Sequence, residues 1–567
     1  MHETTRRRFM QQVGAGAAAL ALGGAAAQAA PKTKPNIVLF YFDDLDFDEI
    51  GEYDPVAFPT YSGASELGLF REDMNPWLAY FDCPGIHTPH IDGLARDGAR
   101  FERFYITSAI CSPSRYALLT GRYACRSEGV CADFPPGGPV NIEQNAHLGP
   151  EEQSIGKLMK AQGYHTGIVG KWHNSDWDGP YGGRVQGVAP DDDPRDPEVA
   201  AKIRETYDRG AAYVRAHHGF DYAERLYLQN KEALGIPTSL QVHNMEWLVE
   251  GALEFLEAQD EDPFFLYFAS PAPHGWVGSG DFLNADPLAT PAGMLDAPPK
   301  GMPSREDTAR RAREAGATGR LMEATWLDDA VGAVLGKLED MGVADNTLVL
   351  FISDHQNRGK ETLYEGTHVP ALARWPERIR PGTRVDALCA NIEVTPTLLD
   401  AAGADPSAVE TPFDGRSFLP LLTGGADAPD AREGLLLEVG YARAVVAGDW
   451  KYIALRYPPK LAEEIDAAEP NTYSWDGVAR RVQQATRWDA EGAVQTPYGA
   501  HKDFPGYFDR DQLYNLREDP YEQKNLADDP EHAEKLAEMR ALMTRLSADL
   551  PHAFGEFAQG GDGGGAE

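Results

Sequence analysis

Four short apolar runs along the chain each end in residues able to hold a cation or move a proton. Asn36–Phe42 reads NIVLFYF and gives way to Asp43-Asp44, while Thr166–Val169 reads TGIV, is closed by Gly170 and leads to Lys171-Trp172-His173. PFFLYFAS (Pro263–Ser270) leads to His274, and TLVLFIS (Thr347–Ser353) leads to Asp354-His355. Continuous apolar runs of this length are expected of strands covered on both faces. Between them, EEQSIGKLMKAQG (Glu151–Gly163) and RLMEATWLDDAVGAVLGKLEDMG (Arg320–Gly342) repeat apolar positions at helical spacing and stop at glycine. Strands alternating with helices predict an α/β fold whose ligands gather beyond the carboxyl ends of the strands. Taken singly, paired aspartates are ordinary turn residues and a lysine or histidine after a strand is ordinary surface or filler. Four such endings at one edge of a sheet point to a shared site.

The pattern changes toward the C-terminus. The linker TGGADAPDARE marks a boundary near residue 426, after which LLLEVG, ARAVVAGDWKYIALRY and DQLYNL predict an antiparallel sheet. EHAEKLAEMRALMTRLSADL then places Leu536, Met539, Leu542, Met543 and Leu546 on one helical face, a packing stripe. The expected organisation is a large domain over 31–425, a smaller α+β domain over 426–556 and a disordered tail over 557–567, with no internal repeat.

Residues 1–30 stand apart. TRRRFM, the run VGAGAAALALGGAAA and the small-residue site Ala27-Gln28-Ala29 read as a twin-arginine export signal, so the mature chain is expected in the periplasm or secreted. The run is too short and too rich in Gly and Ala for a stable span, so no lasting membrane insertion is expected after cleavage. A formal net charge of −36 argues against nucleic acid or an anionic membrane surface as partner. Five cysteines, at 83, 111, 125, 131 and 389, are an odd number for a compartment that permits disulfides. Cys125 and Cys131 are close enough in sequence to pair across a short loop, although spacing alone does not establish a bond.

Cys111 has the most specific surroundings, CSPSRYALLTGR. Ser112 as N-cap and Pro113 at the first helical position would start a helix just after it, where free backbone N–H groups favour anions. CSPSR followed by LLTGR resembles the signature of the type I sulfatases, in which the cysteine of C-x-P-S-R is oxidised to formylglycine. FDDL, HTPHIDGLARDGARFERFYITSAICSPSR, GKWH, GFD, SDH, YEG and QLYNLREDPYEQKNLA follow in family order, so the resemblance covers nearly the whole mature chain. It implies an alkaline phosphatase-like fold: a large mixed, mostly parallel sheet sandwiched by helices, with a smaller C-terminal domain. It also implies that the thiol lacks a disulfide partner because it is the precursor of an aldehyde.

Carried over residue by residue, the resemblance assigns Asp43, Asp44, Asp354, His355 and an oxygen of modified Cys111 to a divalent metal. Three carboxylates suit Ca²⁺, or Mg²⁺ with water completing the shell; at His355 many relatives have asparagine, and hydrogen bonding to the sulfate is the alternative role. The hydrated aldehyde would attack sulfur and expel the alcohol, His274 with Lys360 would protonate the leaving oxygen, and His173 would deprotonate the second hydroxyl to release sulfate. Arg115, Lys171 and Lys360 would offset charge around the sulfuryl oxygens. Arg122 is expected to shape the helix.

Several positions depart from the family pattern. Gln356 stands where a glycine is usual, His368 where an arginine often follows the YEG-like motif, and Asn174 follows GKWH ahead of an acidic insertion. The first two put the loop on the sulfate side in question. His217, His218, Trp276 and Tyr227 are candidates for contacting a sugar, each more often structural than functional. The expected substrate is a sulfated carbohydrate met outside the cell, and the expected partners are a formylglycine-generating enzyme and the twin-arginine translocation machinery. Two rivals share these residues: a phosphodiester or phosphonate monoester hydrolase, and a catalytically silent carbohydrate-binding relative.

Overall fold

The central strand carries the first acidic pair. In the computed structural model, which describes residues 34–46, 86–176, 179–274, 282–317, 321–357, 359–424, 432–458, 487–488, 494–495 and 504–557, eight strands form the main sheet. In chain order they are β1 (Asn36–Asp43), β2 (Ala99–Phe101), β3 (His165–Lys171), β4 (Tyr222–Tyr227), β5 (Phe264–Pro273), β6 (Thr347–Ser353), β7 (Ala371–Arg374) and β8 (Thr383–Val385). Their order across the sheet is β8-β2-β7-β6-β1-β5-β3-β4. Strand β7 runs antiparallel to both neighbours, and the other pairings are parallel. The sheet is therefore mixed and mostly parallel.

All four apolar runs are strands, and all lie within the five-strand parallel block. Strands β5 and β6 are buried along their whole length, which removes any need for a polar face. Helices pack in two sets. The helix α1 (Cys111–Thr120) joins Ile155–Ala161 and Val394–Ala401, while α2 (Met245–Glu257) joins α3 (Leu321–Asp340). The predicted helix over 151–163 is shorter than its pattern, because Ser154 caps it by accepting from the Lys157 amide.

Beyond residue 431, β9 (Leu435–Val439), β10 (Ala442–Ala447), β11 (Trp450–Leu455) and β12 (Asp511–Asn515) form an antiparallel sheet in that order. The helix α4 (Ala533–Ser547) covers it, burying Met539, Leu542 and Met543 and half-burying Leu536 and Leu546, as the stripe predicts. The Glu438 amide donates to the Thr107 carbonyl, and Ile142 and Gly440 exchange backbone bonds, tying this sheet to the segments on either side of α1. Among the described residues no helix is long and apolar enough to cross a membrane. The expected export signal over 1–30, residues 425–431 of the linker, Cys83, Trp276 and residues 558–567 lie outside the described residues, whereas Phe557, counted with the disordered tail, is ordered and buried.

Candidate active site

Register aligns the ends of the central strands. Asp43 stands opposite Pro273, one residue before His274, and Phe42 stands opposite Ser353, one residue before Asp354. The Asp354 amide donates to the Phe42 carbonyl at 2.8 Å, and the Asp44 amide donates to Asp354 Oδ1 at 3.2 Å. On the far side of β5, a bulge between Ile168 and Gly170 re-aims Lys171, which donates to Asp43. Asp44 and His173 adopt φ of 66° and 57°, in the left-handed region that non-glycine residues seldom occupy. Such strain collects where surrounding structure holds a side chain for function.

Helix α1 supplies the remaining groups, and all ten of its residues are buried. It begins earlier than the sequence suggests. Ile110, extended, is the N-cap, so Cys111 is the first helical residue, and the Ser114 amide already bonds the Ile110 carbonyl at 2.9 Å. Ser112 is therefore not the cap. Its hydroxyl donates to the Ala146 carbonyl instead, and Pro113, still within the first turn, has no N–H to waste. The anion-favouring end of the helix remains at Cys111.

The side chains converge around that sulfur. Cys111 Sγ lies 3.2 Å from His355 Nε2 and 3.5 Å from Asp43 Oδ1. Arg115 donates to Asp354 Oδ2 at 2.9 Å and reaches Asp43 Oδ2 at 3.4 Å. Lys360 pairs with Asp44, and His355 Nδ1 lies 3.0 Å from Asp44 Oδ1. Ligand atoms of Asp43, Cys111, Asp354 and His355 all lie within 4.8 Å of one another, as do those of Asp43, Asp44 and His274. Metal–oxygen bonds of about 2.3–2.6 Å place opposed ligands about 5 Å apart, so both the size and the oxygen-rich chemistry of the cluster fit a hard divalent cation.

The charges are balanced by proximity. Burial resists ionisation of Asp43, yet Lys171 and Arg115 hold its carboxyl well below the usual range. Burial and the neighbouring Asp43 charge raise Asp354. Burial opposes charging His355, but Asp354, Cys111 and Asp44 pull it well above the ordinary histidine value, so cation binding here is linked to loss of that proton. His173 and His274 move the other way. Burial, then Lys171 and Arg115, keep His173 neutral, and burial, then Lys360 and Lys171, do the same for His274.

Every catalytic and metal-ligating residue expected from the sequence thus falls in one cluster or directly beside it. Of the supporting residues, Asn174, Gln356 and His368 stand out in the sequence only as departures from the family pattern, and Asn391 carries no signal. Ser114 Oγ donates to the Asp354 carbonyl and lies 2.7 Å from the Tyr41 hydroxyl, while Asn391 donates to the Ser114 carbonyl. Asn174 bonds the Ser112 and Ala146 carbonyls at 3.0 Å each, anchoring the start of α1. Gln356 donates to the Glu365 and His368 carbonyls and so closes the YEG loop in a way glycine cannot. His368 stacks on Tyr105 and contacts the Glu102 carbonyl, a packing role.

Two candidates for sugar contact are structural. His218 is fully buried against Trp172, and Tyr227 is buried with its hydroxyl bonded to the Val242 carbonyl and the Asn244 amide. Cys125 and Cys131 are free thiols here, as are Cys111 and Cys389. Cys131 Sγ instead meets the Cys125 carbonyl at 3.6 Å.

A buried cysteine at a helix start, ringed by carboxylates and cations on the carboxyl edge of a mixed sheet, is the arrangement that the resemblance in sequence implies. The sulfatase family profile matches residues 35–404, and the chain belongs to that family of sulfuric ester hydrolases. It is 27% identical to arylsulfatase A of Bos taurus across 96% of this chain and 94% of the relative. Human N-acetylgalactosamine-6-sulfatase is also 27% identical, over 71% of this chain and 68% of its own length. Among solved structures, a Bacteroides fragilis protein described as a sulfatase superposes with a TM-score of 0.56 at 19% identity, covering 94% of this chain and 99% of the other.

Proposed function

We propose that this chain is an exported enzyme that removes sulfate from a carbohydrate, using formylglycine made from Cys111 and Ca²⁺ held by Asp43, Asp44, Asp354, His355 and residue 111. The observation that carries this reading is the placement of Cys111 Sγ within 3.5 Å of both His355 and Asp43, with Lys171 and Arg115 on the same carboxylate. When present, the cation and the hydrated aldehyde supply an activated oxygen nucleophile. Mg²⁺ with bound water is the alternative occupant.

The chain's own residues do the rest. Arg115, Lys171 and Lys360 surround the position where sulfuryl charge develops, in a buried setting where such contacts act strongly. His173, held neutral by burial and two cations, is suited to accept a proton from residue 111. His274, also held neutral, takes up a proton only when an anionic ester enters and offsets Lys360 and Lys171. With Lys360 it then delivers that proton to the leaving oxygen.

Sugar as substrate is supported by the name of the galactosamine-sulfate relative and by the export signal. Export through the twin-arginine machinery, after folding and maturation by a formylglycine-generating enzyme, completes the reading. The test is mass spectrometry of the peptide containing CSPSR together with turnover of matched sulfate and phosphate esters. An aldehyde or hydrate at residue 111 with preference for sulfate is expected. An unmodified thiol would sink the enzyme reading in favour of a silent binding protein, and preference for phosphate would reassign it to phosphodiester or phosphonate ester hydrolysis.

A further inference from the structure

The segment that follows β4 carries polar groups that the reaction does not use. Lys171 pairs in register with Tyr227, so the residues after β4 run alongside Trp172 and His173. The His173 amide donates to the Leu228 carbonyl at 3.2 Å, which leaves Gln229, Asn230 and Lys231 next along this edge. Gln229 is buried, and neither side-chain amide atom finds a hydrogen-bond partner among the described residues. His243 packs near the Tyr227 ring, centroids 6.3 Å apart, held by the bonds that the Tyr227 hydroxyl makes on either side of it.

The backbone path sets Gln229, Asn230 and Lys231 three residues or fewer beyond the bond that joins Leu228 to His173. The charge of Lys231 acts on both His243 and His274, and the charges of Asp43, Lys171 and Asp44 act on His243. Lys231 is 9% exposed, and its ion-pair partner Glu232, at 2.6 Å, is 50% exposed. A half-exposed carboxylate already shared with water is a weak competitor for a buried ammonium. A buried amide without partners beside such a lysine is a further vacancy in hydrogen bonding, and groups of this kind are rarely left unsatisfied without a reason.

We propose that Lys231 and His243, with Gln229 behind them, form an anion-recognising wall on the leaving-group side of the pocket, selecting sulfate esters of sugars that carry a second anionic substituent. This rests on the reading of the site as a carbohydrate sulfatase with His274 over the leaving oxygen. It also resolves a difficulty of charge. A protein of net charge −36 repels a polyanion at long range, and a buried cation beside the reacting centre restores attraction where screening is weakest. The second anion is a carboxylate or another sulfate, since both present oxygens to an ammonium and an amide.

The experiment compares kcat/KM of the matured enzyme on 4-nitrophenyl sulfate, glucosamine 6-sulfate, glucosamine 2-N,6-O-disulfate and a sulfated hexuronate. The wild type should favour one of the doubly anionic sugars over the singly charged one by about tenfold or more, the size of one charge-assisted contact. Lys231→Met and His243→Gln should collapse that ratio through KM, and Lys231→Arg should restore part of it. The disulfate and the uronate arms separate sulfate from carboxylate. Equal preference in the wild type, or equal losses on singly and doubly charged esters in both variants, overturns the proposal. Calorimetric binding of the same sugars keeps the two readings apart. Absence of all turnover with an intact aldehyde refutes the sulfatase reading, whereas equal affinity for singly and doubly anionic sugars refutes the wall.

Discussion

Lys360 divides its ammonium equally between the two carboxylate oxygens of Asp44, 2.9 Å from each, and both side chains are 2% exposed. Burial alone would raise Asp44, but Lys360 and then His355 lower it far below the ordinary carboxylate value. Lys360→Met removes that compensation and leaves a buried charge. Breaking such a pair costs about 3–5 kcal/mol of stability, read as a shift of the urea midpoint in the metal-free protein. Turnover of a sulfate ester should fall by about 10²–10³ in kcat, because the same ammonium faces the reacting sulfuryl group. A variant with wild-type midpoint and activity would show that the pairing carries neither load.

Gln356 offers a milder test of the same loop. Its side-chain amide donates at 3.0 and 2.7 Å to the carbonyls of Glu365 and His368, and its backbone amide donates to Gly366 at 3.1 Å. Gln356→Gly, which restores the residue usual in the family, removes both side-chain bonds and adds backbone freedom. The expected cost is about 1–3 kcal/mol, seen as a lower Tm, with a raised KM as the loop carrying Lys360 loosens. Unchanged Tm and KM would mean that the loop is held elsewhere.

How far the sequence foretold this arrangement depends on range. The four apolar runs and their polar endings were legible because fully buried parallel strands leave a continuous signature, and Asp43, Lys171, His274 and Asp354 sit at their ends for that reason. The start of α1 lies two residues before the one expected, since Ser112 followed by Pro113 mimics a cap while the true boundary is set by the Ile110 carbonyl. Asn174, Ser114 and Asn391 were invisible as supports because their partners lie up to 277 residues away in the chain. Lys231 and His243 follow no strand-end pattern. Their relation to the site arises only once β4 is aligned with β3.

Gly170 shows how a single backbone position aims a catalytic lysine. Its φ is +93°, and a Cβ placed there would fall 1.9 Å from the Ala269 carbonyl oxygen of the neighbouring strand. Neither obstacle can be relieved by turning a flexible side chain. Gly170→Ala should therefore displace β3 from β5 just before Lys171, costing about 3 kcal/mol or more and most of the activity. Thermal unfolding and ester turnover read the two effects separately. A soluble, fully active Gly170→Ala protein would refute the claim that this close approach sets the direction of Lys171.

Acid should unfold the protein through histidines that are not themselves in the metal cluster. Burial depresses His218 and His368 to about 3 and His552 to about 4, against an ordinary value of 6.5. In the unfolded chain each gains a proton as pH falls through 6.5, while in the folded protein each stays neutral until far lower pH. The unfolded state therefore binds more protons, so stability is intact above pH 6.5 and is lost progressively toward pH 4. Each group contributes a slope approaching about 1.4 kcal/mol per pH unit in that window. His218 is the cleanest probe, because among the described residues neither ring nitrogen has a hydrogen-bond partner, and the ring packs on Trp172 with centroids 4.7 Å apart. His218→Phe keeps an aromatic ring there and removes the titration. Urea midpoints measured from pH 7 to pH 4.5 should then fall less steeply, by about one proton's worth of slope. An identical pH dependence in variant and wild type would show that His218 takes up its proton in the folded state, against the neutral burial argued here.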